Sequence, residues 1–471
     1  MNRTALPSLV AQIGNLLYRR LAIGRPSRLI NAFGIIFFCL ALPAFARQPN
    51  IILLVADDLG YGELGCQGNA EIPTPNIDSI AKIGARFTSA YVTAPLCSPS
   101  RAGMMTGRYQ TRFGHEFNPT GKENLNPIIG LPLSEKTLAS CLKEAGYATA
   151  LVGKWHLGSV AKFHPMQRGF DEFFGFLHEG HYYAPPHTDN VTSYLRTNEP
   201  PYNEDNPLMR GTNIITEKEY LTDAFTREAT GFIERQSKKP FFLYLAYNAV
   251  HSPMQAQKKY LDRFKNIPDL HRRVFAAMLA NLDDSVGAVL DKVRELHLER
   301  DTLIFFISDN GGPTEELTSS NKPLRGGKGQ LWEGGIREPF LMQWPGQFPA
   351  GIVFTNAVSS MDIFYTSIFA GQGKFPDDRV LDGVNLIPYL TGENLDPPHP
   401  VLFWRYGKNI ALRKADWKLV RQSGPDFHLY NLATDISETK DLAAQKPEVV
   451  KELKSAMDEL DKQMVAPAWK K

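Results

Sequence analysis

The chain has 471 residues, of which 43% are hydrophobic, and its 52 basic residues nearly balance its 50 acidic ones. This length suffices for one large α/β domain with a smaller appendage. The net charge of +2 excludes the global basic field typical of nucleic-acid-binding proteins, so an anionic ligand must be met by a local site.

The first 46 residues have the pattern of an export signal. Arginines between Arg19 and Arg28 precede an apolar run over residues 32–45, which ends in the Ala-x-Ala cleavage motif at 44–46. The run is too short to span a bilayer comfortably, so we expect cleavage and no stable membrane insertion, with a signal anchor as the alternative. The pattern predicts an exported protein, either periplasmic or secreted.

The next segment has the composition of a buried parallel strand. Asn50–Ala56 is a continuous apolar run rich in β-branched residues. It ends in Asp57 and Asp58, which precede a glycine-rich turn. Paired aspartates in such a place often form only a cap or a turn. The carboxyl end of a strand is also where an open α/β sheet binds ligands.

Three later segments repeat this arrangement of an apolar strand followed by polar side chains. Residues 147–152 precede Lys154 and His156, residues 241–247 precede His251, and residues 302–308 precede Asp309 and Asn310. Because the carboxyl ends of parallel strands meet at one edge of a sheet, the four segments predict a single polar site.

The segments between the strands are mostly helical in pattern. Residues 133–146 and 274–296 follow the 3.6-residue period, and alternation of strands with helices predicts a mostly parallel sheet covered on both faces. Periodicity is lost over residues 178–216, which predicts a pocket wall or, as an alternative, a disordered surface excursion. The candidate substrate-binding histidines are His115, His178 and His181.

The last part of the chain has a different sequence pattern. Short segments at 402–406, 409–413, 417–421 and 428–431 are separated by turn residues and followed by a helical pattern over 447–462. They predict a small antiparallel sheet with one helix. The predicted organisation is therefore a signal peptide at 1–46, a main α/β domain at 47–392 and a C-terminal α+β subdomain at 393–471. Cys66 and Cys141 could pair in an oxidising compartment, although their spacing does not indicate that they do.

The most specific motif lies at residues 97–108, where a loop enters a helix. Cys97 lies near the N-cap, Pro99 suits the first turn, and Arg101 follows Cys97 by one turn, so its guanidinium can lie beside the cysteine. The free N–H groups of a helix N-terminus favour an anion there. A lone cysteine before a helix is more often a buried structural residue, so the surrounding sequence decides.

That surrounding sequence, Cys-x-Pro-Ser-Arg and, after three residues, Met-Thr-Gly-Arg, resembles the signature of the type I sulfatases. The segment at 163–175 is similar to the N-acetylgalactosamine-6-sulfatase branch of the arylsulfatases. The resemblance implies an alkaline-phosphatase-like α/β fold and a sulfuric ester hydrolase. It also implies that a formylglycine-generating enzyme oxidises Cys97 to formylglycine (3-oxoalanine), the catalytic aldehyde.

The acidic residues and the asparagine at the strand ends form an all-oxygen set, which suits a hard cation such as Ca²⁺ or Mg²⁺. The resemblance implies one divalent ion, usually calcium, with residue 97 as a further ligand. The protein ligands would be Asp57, Asp58, Asp309 and Asn310.

The resemblance also assigns roles to the basic side chains. Arg101 would orient residue 97, and Lys154 and Lys328 would hold sulfate oxygens as point charges. His156 would serve the hydroxyl of residue 97, and His251 would protonate the leaving oxygen. An aldehyde hydrate can attack sulfur with one hydroxyl group, and deprotonation of its second hydroxyl can later expel sulfate and restore the aldehyde. A serine has no second hydroxyl and cannot release sulfate in this way.

Two alternatives remain at the level of the sequence. One is a phosphatase or phosphodiesterase of the same superfamily, although those enzymes usually use two zinc ions and a Ser or Thr nucleophile. The other is a non-catalytic pseudo-enzyme that binds sulfated glycans. The predicted substrate is a sulfated carbohydrate of galactose or N-acetylgalactosamine type, with a simple aryl sulfate also accepted. The oligomeric state stays open.

Overall fold

The computed structural model describes residues 48–185 and 187–470, so the predicted export signal lies outside the described residues. The strands of the described chain are β1 (Asn50–Ala56), β2 (Ala85–Phe87), β3 (Ala90–Tyr91), β4 (Ala148–Lys154), β5 (Glu172–Phe176), β6 (Val191–Tyr194), β7 (Met209–Arg210), β8 (Asn213–Ile214), β9 (Phe241–Ala246), β10 (Met254–Gln257), β11 (Thr302–Ser308), β12 (Phe340–Gln343), β13 (Ile352–Phe354), β14 (Val358–Ser359), β15 (Val401–Tyr406), β16 (Asn409–Lys414), β17 (Trp417–Arg421) and β18 (His428–Asn431).

The helices alternate with the strands, as the sequence predicts for an α/β protein. The α-helices of the described chain are α1 (Pro75–Ile83), α2 (Cys97–Thr106), α3 (Leu138–Glu144), α4 (Leu221–Gln236), α5 (Lys258–Leu261), α6 (Leu270–Glu295), α7 (Thr314–Leu317), α8 (Glu333–Ile336), α9 (Met361–Ala370), α10 (Ile387–Leu390) and α11 (Pro447–Asp461). None of the helices in the described ranges is both long and apolar enough to cross a lipid bilayer.

A ten-stranded sheet forms the centre of the main domain, with the order β13-β2-β12-β11-β1-β9-β4-β5-β7-β8. Its middle is parallel: β1 pairs in parallel with β11 and β9, and β4 pairs in parallel with β9 and β5. Antiparallel pairs with β12 and β7 flank this core. The predicted fold class, a mostly parallel sheet with flanking helices, is confirmed. The carboxyl ends of β1, β4, β9 and β11 therefore lie at one edge.

The central strands are apolar on both faces because each face is covered by a separate hydrophobic cluster. Alternate residues of β1 point to opposite sides: Ile52 packs in one cluster and Leu53 in the other. Cys66 packs against the first cluster and Cys141 lies in the second. Both thiols are free, so the disulfide that the sequence left open is not formed, because the sheet separates the two residues.

The C-terminal region contains the predicted small antiparallel sheet and helix. β15, β16, β17 and β18 pair in sequence order, and α11 buries Leu453 and Met457 in a third hydrophobic cluster with strand residues of that sheet. The domain boundary at 392/393 stays a prediction.

Two segments differ from the sequence-based predictions. The helix predicted over 133–146 begins only at Leu138, because Thr137 caps it: its side chain accepts from the Ser140 N–H at 3.0 Å, and the Ser140 hydroxyl accepts from the Thr137 N–H at 3.0 Å. The aperiodic stretch at 178–216 contains the short strands β6, β7 and β8. Several of its residues line a cavity, as the pocket-wall prediction requires.

Candidate active site

The ends of two adjacent parallel strands bring four oxygen-bearing side chains together. Asp57 and Asp58 follow β1, and Asp309 and Asn310 follow β11. Asp58 donates its N–H to Asp309 Oδ1 at 3.3 Å, and Asn310 Nδ2 donates to Asp58 Oδ1 at 2.7 Å. Asp58 has a φ of +63°, a conformation that few non-glycine residues adopt, and the surrounding hydrogen bonds hold it there.

Cys97 lies directly against this acidic group. It is the first residue of α2, a helix that ends at Gly107, whose φ of +68° suits a left-handed cap. Its Sγ lies 3.5 Å from Asp57 Oδ1, and the residue is 1% exposed. Burial raises the pKa of the Cys97 thiol, so an unmodified cysteine here is a poor nucleophile at neutral pH.

Arg101 connects the helix to both acidic strand ends. Its Nε donates to Asp309 Oδ2 at 2.8 Å, its Nη2 lies 3.6 Å from Asp57 Oδ2, and its Nη1 donates to the Lys154 carbonyl at 3.1 Å. The Tyr244 hydroxyl lies 3.4 Å from Nη1. The guanidinium is fully buried and fixed on three sides, so it orients the first turn of α2.

Two lysines contact the two neighbouring aspartates. Lys154 Nζ lies 2.6 Å from Asp57 Oδ2, and Lys328 Nζ lies 2.8 Å from Asp58 Oδ2. Burial alone would raise the pKa of both carboxyl groups, but the nearby cations, Lys154 for Asp57 and Lys328 for Asp58, hold each pKa below its usual value. Burial alone would lower the pKa of Lys328, but Asp58 raises it well above its usual value, so the ammonium stays charged.

The site fits a divalent cation. Ligand atoms of Asp57, Asp58, Cys97 and His251 all lie within 4.8 Å of one another. Asn310 uses its amide nitrogen on Asp58 and on the Gly311 carbonyl, which leaves its buried Oδ1 without a hydrogen-bond partner among the described residues. A hard cation would satisfy this oxygen as well as the carboxylates.

His251 forms part of the wall above the acidic group. Its Nδ1 lies 2.6 Å from the Ser252 carbonyl, which fixes the ring so that Nε2 faces Asp58 at 3.6 Å. The Ser252 hydroxyl lies 2.9 Å from the Tyr202 hydroxyl and donates to Glu316 at 2.8 Å. Arg196 pairs with Glu316 at 2.9 Å and extends this network along the wall.

His156 and His115 both contact Ser98, the residue that follows Cys97. The Ser98 hydroxyl lies 2.6 Å from His115 Nε2 and 2.6 Å from the His156 carbonyl, while His156 Nε2 contacts the Pro119 carbonyl at 2.9 Å. Burial, with Lys154 nearby, holds the pKa of His156 well below its usual value. Burial lowers the pKa of His115 to about 3. Both rings are therefore neutral at physiological pH.

A cavity of about 550 Å³ opens above the acidic group, and we call it the active-site cavity. His251 and Lys328 line this cavity. Of the three histidines predicted to bind substrate, His178 also lines it. His115 is instead covered by Ser98 and the Trp469 ring, and His181 bonds its Nδ1 to the Tyr182 carbonyl and lines a different depression. The aperiodic segment thus supplies much of the cavity wall.

The loop that carries Lys328 is anchored by the C-terminal sheet. The Arg325 guanidinium stacks over the Trp332 ring at 3.9 Å from its centroid and donates to the Glu438 carbonyl at 2.9 Å. Glu333 donates its N–H to the Glu438 carboxylate at 2.7 Å, and both acids bind the buried Lys418, at 2.9 Å and 2.8 Å. The C-terminal region therefore positions a lysine of the site.

Sequence patterns did not identify the Arg196–Glu316–Ser252–Tyr202 network or the Arg325 anchor. These side chains lie in loops or, for Glu316, in the short helix α7, where no periodicity is visible, and most of their partners are distant in the sequence. Two signals were available: the pocket wall predicted over residues 178–216 includes Arg196 and Tyr202, and Ser252 follows His251, but neither signal identified the contacts.

Comparison with known proteins agrees with this geometry. The family model described as Sulfatase matches residues 49–370. Human N-acetylgalactosamine-6-sulfatase is 39% identical over 372 residues, covering 76% of this chain and 69% of its own length. Human steryl-sulfatase is 35% identical over 426 residues, covering 76% of this chain and 72% of its own length.

Solved structures give the same result. The crystal structure of Ps i-CgsB in complex with k-i-k-neocarrahexaose superposes with a TM-score of 0.82 and 36% identity, covering 90% of this chain and 95% of that one. The alkaline-phosphatase-like fold implied by the resemblance is confirmed. A family match over most of the chain, relatives above 30% identity and a buried Cys-Arg-Asp constellation at the sheet edge lead to one conclusion: this chain belongs to the sulfatase family and is a sulfuric ester hydrolase.

Proposed function

We propose that this enzyme hydrolyses sulfate esters of a carbohydrate, using a formylglycine made from Cys97 and one divalent cation, Ca²⁺ in the first instance. The observation that carries the proposal is the placement of Cys97, 3.5 Å from Asp57 in a buried cluster with Asp58 and His251. A thiol whose pKa is raised by burial is a poor nucleophile, whereas a hydrated aldehyde offers two oxygen groups at the same place, and oxygen suits a hard cation better than sulfur does.

The charges of the site support an anionic substrate. Asp57, Asp58 and Asp309 are balanced by Arg101, Lys154 and Lys328, so the protein groups alone sum to zero. A bound divalent cation would add two positive charges, which favour a sulfate group, and would lower the pKa of the residue-97 hydrate. The ligands would be Asp57, Asp58, Asp309, Asn310 and residue 97.

The remaining roles follow from position. Lys154 and Lys328 would bind sulfate oxygens, and Arg101 would hold residue 97 in line with the sulfur. His251 lines the cavity and presents Nε2 to it, so it would protonate the departing sugar oxygen. His156 would assist the second hydroxyl of residue 97, which expels sulfate and restores the aldehyde.

The relatives' names support a sugar substrate. The name N-acetylgalactosamine-6-sulfatase states a sulfated galactose-type sugar, and Ps i-CgsB was solved in complex with a neocarrahexaose, so we propose a galactose- or N-acetylgalactosamine-type sulfate. We also propose export through the N-terminal signal and maturation by a formylglycine-generating enzyme. The phosphatase alternative is disfavoured because residue 97 is a cysteine where those enzymes usually have a Ser or Thr nucleophile, and because His251 is the single histidine in the cluster of ligand atoms among the described residues, whereas a two-zinc site needs several.

A desulfation screen tests the proposed function. Enzyme from a host with a formylglycine-generating system, loaded with Ca²⁺, should release sulfate from defined galactose-type sulfated sugars and from a small aryl sulfate. Cys97→Ala should be inactive on both. Efficient phosphate release with stoichiometric bound zinc would favour the phosphatase, and tight glycan binding without turnover in aldehyde-containing protein would favour the pseudo-enzyme.

The anchor of the Lys328 loop gives a prediction of its own. Arg325→Met should lower kcat/KM about tenfold, because a small displacement of Lys328 misaligns a sulfate contact. The melting temperature should hardly change, since Arg325 is exposed. The matched control is Arg421→Met, because Arg421 ends β17 and stacks on Phe427, just before β18, so its loss should leave kcat/KM unchanged. Equal losses in both variants would contradict the anchoring role.

A further inference from the structure

A second cavity, of about 400 Å³, adjoins the active-site cavity. His178 and Asp205 line both cavities and so form the partition between them. Its volume is within the range of pockets that bind small organic ligands. The residues that line it include none of the groups assigned to sulfate chemistry, so its role is separate from bond cleavage.

The partition between the cavities is fixed by a buried asparagine. Asn206 Oδ1 accepts the backbone N–H groups of Leu177 and His178, each at 3.2 Å. Its Nδ2 donates to the Gly180 carbonyl at 2.7 Å and to the Tyr202 carbonyl at 3.1 Å. Asn206 is 1% exposed and its side chain makes four hydrogen bonds, so the boundary is preformed.

The lining of the second cavity is amphipathic. Part of it is apolar, from Leu125, Ala161, Leu177, Pro207 and Met209, and the remainder is polar. Of the described residues that line it, only Asp205 carries a full charge, and that charge is negative. The cavity therefore suits a ligand with one apolar face, several hydroxyl groups and no anionic group.

His164 adds a hydrogen-bond donor to this lining. Its Nδ1 accepts the Met166 N–H at 3.3 Å, and burial lowers the pKa of the ring, so the neutral imidazole carries its proton on Nε2. Within the described ranges Nε2 has no hydrogen-bond partner, although His164 is only 5% exposed. The Phe173 ring packs edge-on against His164 at 5.1 Å and fixes its orientation. An acceptor oxygen of a ligand would satisfy this N–H.

We propose that this cavity is a second sugar subsite, which binds an uncharged sugar unit adjacent to the sulfated one. This inference rests on the proposed function. A pyranose has an apolar C–H face for the Leu177 and Met209 side, and hydroxyl groups that can accept from His164 and donate to Asp205. A neighbouring unit with its own sulfate or carboxylate is disfavoured, because it would meet Asp205 with no cation in the lining to offset the repulsion.

The test fills the cavity without altering the sulfate-binding groups. Ala161 is exposed and lines the cavity, so Ala161→Trp should occupy the subsite. The matched control is Lys162→Trp, because Lys162 is also exposed but is not among the lining residues. Three substrates are compared: a sulfated monosaccharide, the same sugar linked to a neutral unit, and that disaccharide with a second sulfate on the neighbouring unit.

The wild type should prefer the neutral disaccharide over the monosaccharide by about tenfold in kcat/KM, mainly through KM, and the doubly sulfated one should lose this advantage. Ala161→Trp should abolish the preference while monosaccharide kcat/KM stays unchanged, and Lys162→Trp should retain the preference. Normal monosaccharide turnover without any preference, or equal losses on all substrates in Ala161→Trp, would overturn the subsite alone. Failure of the wild type on every sulfated sugar would overturn the proposed function, and the subsite with it.

Discussion

Replacing Asp309 by alanine should lower both bound Ca²⁺ and kcat/KM by more than about 100-fold. Loss of a residue that only supports a metal ligand costs up to about 100-fold, and Asp309 is itself a proposed ligand. The change removes two interactions at once. Asp309 is a proposed cation ligand, and it also binds Arg101 through two contacts of 2.8 Å. Without it, the buried guanidinium keeps only one carboxylate contact, the longer one to Asp57 at 3.6 Å, beside its contacts to the Lys154 carbonyl and the Tyr244 hydroxyl.

Metal content by mass spectrometry of the purified protein and kcat/KM on an aryl sulfate measure this effect. Asp284→Ala is the control, since Asp284 pairs with Arg263 on the surface and contacts none of the site residues. It should retain full metal and activity. An Asp309→Ala protein that binds stoichiometric Ca²⁺ and turns over within a few-fold of wild type would remove Asp309 from the proposed ligand set.

Replacing His251 by alanine should have an effect that depends on the leaving group. A sugar alkoxide is a poor leaving group and needs a proton, so kcat for a sulfated sugar should fall by about 100-fold or more. An activated aryl sulfate needs little protonation and should be partly spared. The orientation of His251, with Nδ1 against the Ser252 carbonyl and Nε2 towards Asp58 in the cavity wall, supports this role.

His156→Ala is the matched comparison, because the proposed role of His156 comes after the alcohol has left. It should slow both substrates towards a common rate and allow sulfated enzyme to accumulate, which intact mass of the quenched protein would detect. An equal loss on sugar and aryl sulfates in His251→Ala, together with no trapped adduct in His156→Ala, would refute this division of roles while leaving the family assignment intact.

The main features of the fold were predictable because they depend on local composition. Asn50–Ala56 and Thr302–Ser308 have the predicted bounds, since strands buried on both faces must be apolar throughout. The strand ends also predicted which polar residues meet, because parallel strands share an edge. Helix α3 was predicted to begin too early, because the pattern over 133–146 does not show that Thr137 is the N-cap at which the helix begins.

The cavity wall could not be predicted in this way. Arg196 and Glu316 form an ion pair across 120 positions of the sequence, and neither residue belongs to a periodic pattern. Arg325 likewise donates to the Glu438 carbonyl across 113 positions of the sequence, a contact that exists only because the C-terminal region packs against the main domain. We expect substrate selection to depend on such contacts, whereas the aspartate and asparagine ligands proposed for the cation follow the ends of β1 and β11.

The chemical state of residue 97 in active protein tests the central claim most directly. Trypsin should release residues 87–101 as one peptide, whose mass should show an aldehyde or its hydrate at Cys97, while the peptides that contain Cys66 and Cys141 keep their thiols. The aldehyde fraction should rise in proportion to the specific activity across preparations. Fully active protein in which residue 97 is entirely an unmodified thiol would contradict the mechanism.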